Sequence, residues 1–263
     1  MPNRPAPAPK SAELLASLVA MAGEAEPNRF ELKRLEREAE NLVKVDAVAG
    51  YTALGAAATL RGDVEAVHSR HQLALRLSGE LPEALHNYAA SLTKLGEFAK
   101  ALEVARRAHD RAPADPAVLD SLVTTAIFAG HFREAYGAVN QWNDANPERP
   151  YASDWPVEAI LNAVERKVFT EERLREVLDI AHETLRSAKV RTSRVEVHAD
   201  EHEPDSFLFE CFVVASPEKA EDLNDTLDAQ IRDCPHLMDD PGLRFIPAFI
   251  GGSVDGSQSE AVT

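Results

Sequence analysis

The amino-acid sequence predicts an α+β fold, in which an all-α solenoid of helical repeats precedes a small ββαβ domain. A pattern built on glycine recurs every 34 residues in the first part of the chain. After Val190 the spacing of apolar residues changes from about 3.6 to about 2 residues. Hydrophobic residues make up 44% of the 263 residues, which is enough for a sizeable core. We predict a disordered Pro-rich tail at 1–10, a helical repeat domain at 11–189, an α+β domain at 190–250 and a disordered polar tail at 251–263.

The repeat is marked by Gly62, Gly96 and Gly130, which are spaced 34 residues apart. A glycine lets the chain turn tightly after one helix, and a later proline cannot continue the next one. Small residues between the glycine and the proline let two helices approach closely. The pattern therefore predicts helix pairs that must stack, because one short pair cannot bury its own apolar stripe. The residues that recur after the glycines are Val64, Phe98 and Phe132, then Val67, Ala101 and Ala135, then Ala74, Ala108 and Trp142, and finally Pro113 and Pro147.

This spacing and these residue types resemble the tetratricopeptide repeat. The best match runs from Pro82 to Asp115, the stretch 116–149 is a second match, and the stretch 48–81 is a weaker one. The resemblance implies a solenoid in which the first helix of each repeat lines a concave groove. It also implies a role in binding proteins, without naming the partner, because this fold serves many partners.

The resemblance further implies which side chains face the groove. Small and mildly apolar residues dominate the set, which suits a helix or an extended apolar segment, including one from this same chain. Lys94 is its only basic member, which argues against capture of a peptide's terminal carboxylate. The alternative is that these positions pack on flanking helices or stay in water. The candidate partner-binding residues are Thr52, Ala56, Thr59, His86, Asn87, Ala90, Thr93, Lys94, Asp120, Thr124 and Phe128.

Further helices are predicted on both sides of the repeats from capping residues and apolar stripes. Asn28, Asp154 and Thr170 each stand where a side chain can cap a helix N-terminus. Acidic residues after Thr170 suit the positive end of the helix dipole. The predicted stripes are Phe30, Leu32, Leu35, Ala39, Leu42 and Val45 in the first helix, and Leu174, Val177, Leu178, Ala181 and Leu185 in the third.

The segment after Val190 alternates polar and apolar residues and predicts strand, strand, helix, strand. The stretch 194–198 indicates a strand with one wet face, and the stretch 206–214 a central strand buried from both sides. Ser216 followed by Pro217 indicates a helix start. A last strand at 243–250 contains Pro247, which cannot donate to a ladder and therefore predicts an edge or a bulge.

The charge of the chain restricts its partners. The formal net charge is −16, and the segment 190–263 carries −11 of it in 74 residues. This excess argues against nucleic acid and anionic membrane surfaces, and no apolar run is long enough for a transmembrane helix. A cytoplasmic protein is expected, with Cys211 and Cys234 as reduced thiols. The candidate surface for steering a basic partner is Asp200, Glu201, Glu203 and Asp205.

Signs of catalysis are few. His198 and His202 stand among acidic residues and form a weak metal candidate, whereas an acidic hairpin loop is the plainer interpretation. Phosphate loops, dinucleotide-type glycine clusters and nucleophile elbows do not occur in the sequence. The other helical histidines, His71 and His182 among them, are interpreted as surface or groove residues. Neither a cofactor nor a resident metal is therefore expected.

These observations favour a non-catalytic protein-interaction protein, namely an adaptor, a chaperone or an inhibitor of the immunity type. Its partner would be a protein or peptide, with a basic surface where it meets the acidic segment. Two alternatives remain open at this point. One is a metal-dependent enzyme with its site at His198 and His202, and the other is a homo-oligomeric scaffold.

Overall fold

The structure is a computed structural model that describes residues 10–24, 27–151, 156–199, 206–238 and 245–251. Packed helices come first and a three-stranded sheet follows, which confirms the α+β class. No helix in these ranges is both long and apolar enough to cross a membrane. The predicted tails lie outside the described residues, except for Lys10 and Gly251. The helices are α1 (Lys10–Met21), α2 (Arg29–Val43), α3 (Ala47–Leu60), α4 (Val64–Ser78), α5 (Pro82–Lys94), α6 (Phe98–Arg111), α7 (Pro116–Phe128), α8 (Phe132–Ala145), α9 (Val157–Glu165), α10 (Glu171–Ala188), α11 (Pro217–Arg232) and α12 (Pro235–Met238), and the strands are β1 (Thr192–Ala199), β2 (Phe207–Val213) and β3 (Phe245–Gly251).

The three predicted helix pairs are present as α3 with α4, α5 with α6, and α7 with α8. Each pair turns at one of the three spaced glycines, Gly62, Gly96 and Gly130, whose φ angles are 68°, 74° and 72°. These angles lie in the left-handed region, which glycine enters without a steric penalty. At Gly130 a side chain would also meet Arg175 of α10, because a Cβ there would lie 2.7 Å from the Arg175 Cγ. The repeat spacing thus reflects turns that need glycine.

The small residues of the repeat lie where the helices of a pair touch. Ala101, Ala135 and Val67 are fully buried, and so are the aromatic rings of Phe98 and Phe132 that begin α6 and α8. An alanine at such a contact lets two backbones approach closely, while the neighbouring phenylalanine fills the space between pairs. The predicted register of the repeats is therefore confirmed by burial.

The flanking helices begin at two of the predicted caps. Asn28 accepts hydrogen bonds from the backbone N–H groups of Phe30 and Glu31, and Thr170 accepts one from Arg173. The predicted stripe of α10 is buried throughout. The stripe of α2 is wrong at both ends, because Phe30 is 90% exposed and Val45 is 88% exposed. Asp154 lies outside the described residues, and α9 begins after it, at Val157.

The sheet has the order β1-β2-β3, with β1 antiparallel and β3 parallel to the central strand β2. Helix α11 connects the parallel pair, so the predicted ββαβ order is confirmed, and Pro247 lies in the edge strand β3. The prediction that β2 is buried from both sides is wrong. Phe207, Phe209 and Cys211 are buried on one face, whereas the alternate residues on the other face are half-buried.

The cores of the helical and sheet regions are continuous. Buried apolar residues from α4 onward, including those of β1, β2 and α11, form one cluster together with Ala58 of α3, and the other buried apolar residues of α1, α2 and α3 form a second. Lys189 ends α10 in a left-handed conformation, with a φ of 54°, and turns the chain toward the sheet. Independent folding of residues 11–189 and 190–250 stays a prediction.

Two histidines that the sequence assigned to the surface or groove are in the core. His71 is fully buried, stacks on Tyr88 with ring centroids 5.0 Å apart, and its Nε2 lies 3.0 Å from the Ser91 hydroxyl. His182 is 4% exposed and lies 4.2 Å from the Phe98 ring. Burial lowers the pKa of each imidazole to about 3, so both are neutral at physiological pH.

Candidate functional site

The candidate groove follows α3, α5 and α7, the first helices of the three pairs, and α5, which packs against both of the others, is its floor. Pro82 occupies the first turn of α5, where its missing N–H costs nothing. The helix turns its buried side, including Leu85 and Leu92, toward the core. Its opposite side carries Asn87, Ala90 and Lys94 at helical spacing. These three candidate residues therefore share one face, as the repeat resemblance implied.

Helix α1 forms one wall beside this floor. A cleft of about 80 Å³ lies between α1, α3 and α5, and Leu15 and Val19 of α1 border it. The sequence suggested a groove that suits a helix, and a helix of the same chain lies at its edge. The candidate residues that line this cleft are Ala56, Thr59, Asn87, Ala90 and Lys94.

Arg191 holds the C-terminal end of α1 in place. Its guanidinium donates to the backbone carbonyl oxygens of Ala22 at 3.1 Å and Glu24 at 2.6 Å, and the residue is 7% exposed. A cation at a helix C-terminus is favourable, because the unpaired carbonyl groups carry partial negative charge. This contact joins two parts of the chain that are 167 residues apart at their closest pair. Sequence reasoning missed this contact, because no local pattern marks Arg191.

Strand β1 forms the opposite wall. Its first residue, Thr192, donates from Oγ1 to the carbonyl oxygen of Thr93 at 2.8 Å, which ties the strand to the end of α5. A cleft of about 310 Å³ lies between α5, α7 and β1. The candidate residues that line it are His86, Ala90, Thr93, Lys94, Asp120, Thr124 and Phe128.

Some of the candidate residues offer little to a partner. Thr52 is buried, donates to the Val48 carbonyl oxygen and lines neither cleft. Thr59 and Thr93 likewise donate to carbonyl groups of their own helices. Phe128 is 4% exposed and packs edge-on against Phe98. The candidate side chains that remain at least partly exposed are those of α5, Ala56 of α3, and Asp120 and Thr124 of α7.

The floor carries polar groups without a partner among the described residues. Burial lowers the pKa of Lys94, the nearby Arg191 lowers it further, and no described carboxylate offsets these effects. The Nδ1 atom of His86 is buried without a hydrogen bond. Asp120, in contrast, accepts a hydrogen bond from the Tyr151 hydroxyl at 2.8 Å. The two clefts along α5 share Ala90 and Lys94, and together they are the channel between α1 and β1. This channel is locally basic in a chain whose net charge is −16.

The predicted steering residues Asp200, Glu201, Glu203 and Asp205 lie outside the described residues, as does His202. Another acidic surface is present between α10 and α11, where a cleft of about 840 Å³ contains a single arginine, Arg175. Its carboxylates are Glu172, Glu176, Asp179, Glu183 and Asp233.

The cysteines are free thiols, as predicted. Cys211 lies in the buried face of β2, and burial raises its pKa to about 12, so it stays protonated and unreactive. His198 lies on the outer face of β1, where its Nε2 faces Glu196 and Glu210.

Comparison with known proteins agrees with the repeat. Residues 82–125 match the sequence model of the Tetratricopeptide repeat family. This range holds α5, α6 and most of α7, so it includes the floor of the channel. No curated protein and no solved structure matches the chain. A tetratricopeptide segment points to a role in protein–protein interaction, and the rest of the chain has no recognised family.

Proposed function

We propose that this chain is a non-catalytic, cytoplasmic interaction protein that holds an extended segment of a partner protein along α5, between α1 and β1. The observation that carries the proposal is Lys94 on the floor of this channel. Its ammonium has no described partner, and a bound segment would supply an acceptor. Binding would form no covalent bond, so adaptor, chaperone and inhibitor roles share this mechanism.

The walls favour an extended segment over a second helix. Strand β1 and α1 already occupy the sides of the groove, and the cleft between α5, α7 and β1 measures about 310 Å³. A helix with side chains is about 10–12 Å wide, which is too bulky for such a cleft. An extended chain needs less room and can place alternate side chains toward the floor.

The first test identifies the partner by affinity purification from the native host and then measures its affinity for channel variants. Ala90→Trp should fill the channel, and Lys94→Met should remove its unpaired cation. Lys94→Met should weaken binding by about thirtyfold or more, because truncating one member of a desolvated charge pair costs ~2 kcal/mol or more. Ala90→Trp should weaken it by about tenfold or more, because its ring takes the space of the bound segment. Ala90 is exposed, so the bulky residue does not overpack the core.

The matched control is Lys33→Met on α2, which removes an exposed lysine away from the channel. It should leave the affinity unchanged. Equal affinities for Lys94→Met, Ala90→Trp and the control would contradict binding in the channel.

A second part of the proposal concerns the acidic residues Asp200, Glu201, Glu203 and Asp205. We propose that the partner presents a basic surface to these residues and that opposite potentials speed the encounter of the two proteins. The Debye length is only ~8 Å at about 0.15 M salt, so exposed charges act mainly on the rate of encounter.

The association rate should therefore fall steeply with rising salt concentration. Charge reversal at Asp200, Glu201, Glu203 and Asp205 should slow association more than it speeds dissociation in stopped-flow measurements. A salt-independent rate that these reversals do not change would refute the steering role.

A further inference from the structure

Two carboxylates face each other directly across the outer face of the sheet. Glu196 of β1 is paired in register with Glu210 of β2 in the antiparallel ladder. Glu210 is the more buried, with 22% of its side chain exposed against 38% for Glu196. Like charges at directly opposite positions destabilise a strand pair. Such a pair therefore calls for a cation between its members.

An imidazole lies between the two carboxylates. The Nε2 of His198 is 3.3 Å from Glu196 Oε2 and 3.1 Å from Glu210 Oε2. The second oxygen of Glu196, Oε1, forms an ion pair with Nε of Arg194 at 3.1 Å, and that guanidinium stacks on the Phe212 ring at 4.0 Å. Arg194 thereby orients the Glu196 carboxylate and leaves Oε2 facing His198.

The three facing atoms all lie within 4.8 Å of one another, so small side-chain movements bring them around one metal ion. Bonds of about 2.0–2.2 Å in a tetrahedral zinc site put neighbouring ligand atoms about 3.3–3.6 Å apart. The donor set of one imidazole nitrogen and two carboxylate oxygens suits zinc-class ions, whereas calcium and magnesium prefer oxygen ligands alone. The ladder between β1 and β2 fixes the three Cα positions, so little ordering remains to be done on binding.

We propose that Glu196, His198 and Glu210 bind one zinc-class divalent cation on the outer face of the sheet. Half of the His198 side chain is exposed, at 53%, so water can complete the coordination. The ion would neutralise the two opposed carboxylates and bind β1 to β2. This site shares His198 with the pair that the sequence indicated, but its other ligands come from the strands and not from His202.

The test is calorimetric titration of zinc sulfate into the untagged, metal-free full-length protein. We expect one site per chain. Glu210→Gln and His198→Gln should each weaken it by at least about tenfold, since loss of even a second-shell partner costs about 10–100-fold. The matched control is His236→Gln, because His236 also contacts a glutamate, and among the described residues Glu176 is the one carboxylate beside it. This control should bind zinc like the parent chain.

Thermal melts of the metal-free variants separate loss of binding from loss of fold. Glu210→Gln removes the like-charge contact, so its melting temperature should not fall below that of the parent chain. If it does fall, Glu196→Gln serves as the second variant with the same expected loss of zinc affinity. The proposal is overturned if the parent chain shows no stoichiometric zinc binding. It is also overturned if His202→Gln abolishes binding while both glutamate variants retain it.

Discussion

Acidification from pH 7 to pH 5 is expected to lower the free energy of unfolding by about 4 kcal/mol, because two imidazoles are buried in the uncharged form. His71 lies between α3 and α5, where its Nδ1 has no hydrogen bond, and His182 has an unpaired Nε2 beside Phe98. Burial lowers both pKa values to about 3, and neighbouring cationic groups add to the shift, from His68 for His71 and from Arg186 for His182.

The direction follows from the proton uptake of the two states. In the unfolded chain each histidine takes up a proton as the pH falls through about 6.5, while the folded chain does not until about pH 3. The unfolded state therefore binds more protons in this window, and stability falls with the pH. Each pKa unit corresponds to ~1.4 kcal/mol, so 1.5 units of acidification below pH 6.5 cost about 2 kcal/mol for each histidine. Burial also lowers the pKa values of His68 and His131, which adds a smaller loss of the same sign.

Urea unfolding at pH 7 and pH 5 measures this loss. His182→Phe keeps an aromatic ring against Phe98, removes the unpaired nitrogen and should cut the loss to about 2 kcal/mol. The control His109→Phe changes a histidine on α6 that is not in the core and should keep the loss of the parent chain. Equal losses in the parent chain and His182→Phe would contradict the assignment of a buried neutral imidazole.

Much of the helical fold follows from local sequence. Gly62, Gly96 and Gly130 mark turns because a left-handed conformation needs glycine, and this requirement depends on neither the partner helix nor the sheet. Asn28 and Thr170 are equally local, since a cap bonds to backbone N–H groups within three residues. The edge position of Pro247 is also predictable from local sequence, because a proline cannot donate to a strand ladder. The central position of β2 is predictable from its run of apolar residues.

The walls of the channel depend on contacts between distant parts of the chain. Neither Arg191 nor Thr192 differs locally from any other polar residue at the start of a strand, and their partners lie in α1 and α5. Strand register also depends on contacts between separate parts of the chain. The sequence paired His198 with the nearby His202, whereas the ladder places it beside Glu210, which is twelve positions away.

Local sequence also does not determine whether an aromatic residue at the start of a helix is buried. Phe30 and Phe98 each stand in the first turn of a helix, at Arg29–Val43 and Phe98–Arg111 respectively. Phe98 is 1% exposed, whereas Phe30 is 90% exposed. The difference arises because Phe98 points between two repeats. It meets Phe128 of α7 edge-on at 5.3 Å and His182 of α10 at 4.2 Å, and so connects the repeats to the helix that packs on α11.

Phe98→Ala is therefore expected to lower the free energy of unfolding by about 3–5 kcal/mol, as removal of a fully buried phenylalanine leaves a cavity that the surrounding helices fill only in part. The lost ring contacts with Phe128 and His182 add to the loss of burial. Phe30→Ala is the matched control at the equivalent turn of α2, and its effect should stay within about 0.5 kcal/mol. Chemical denaturation of both variants at pH 7 measures the difference. Similar stabilities for the two would mean that α6 does not present Phe98 to α7 and α10, and the packing of the second repeat against the third would then be wrong.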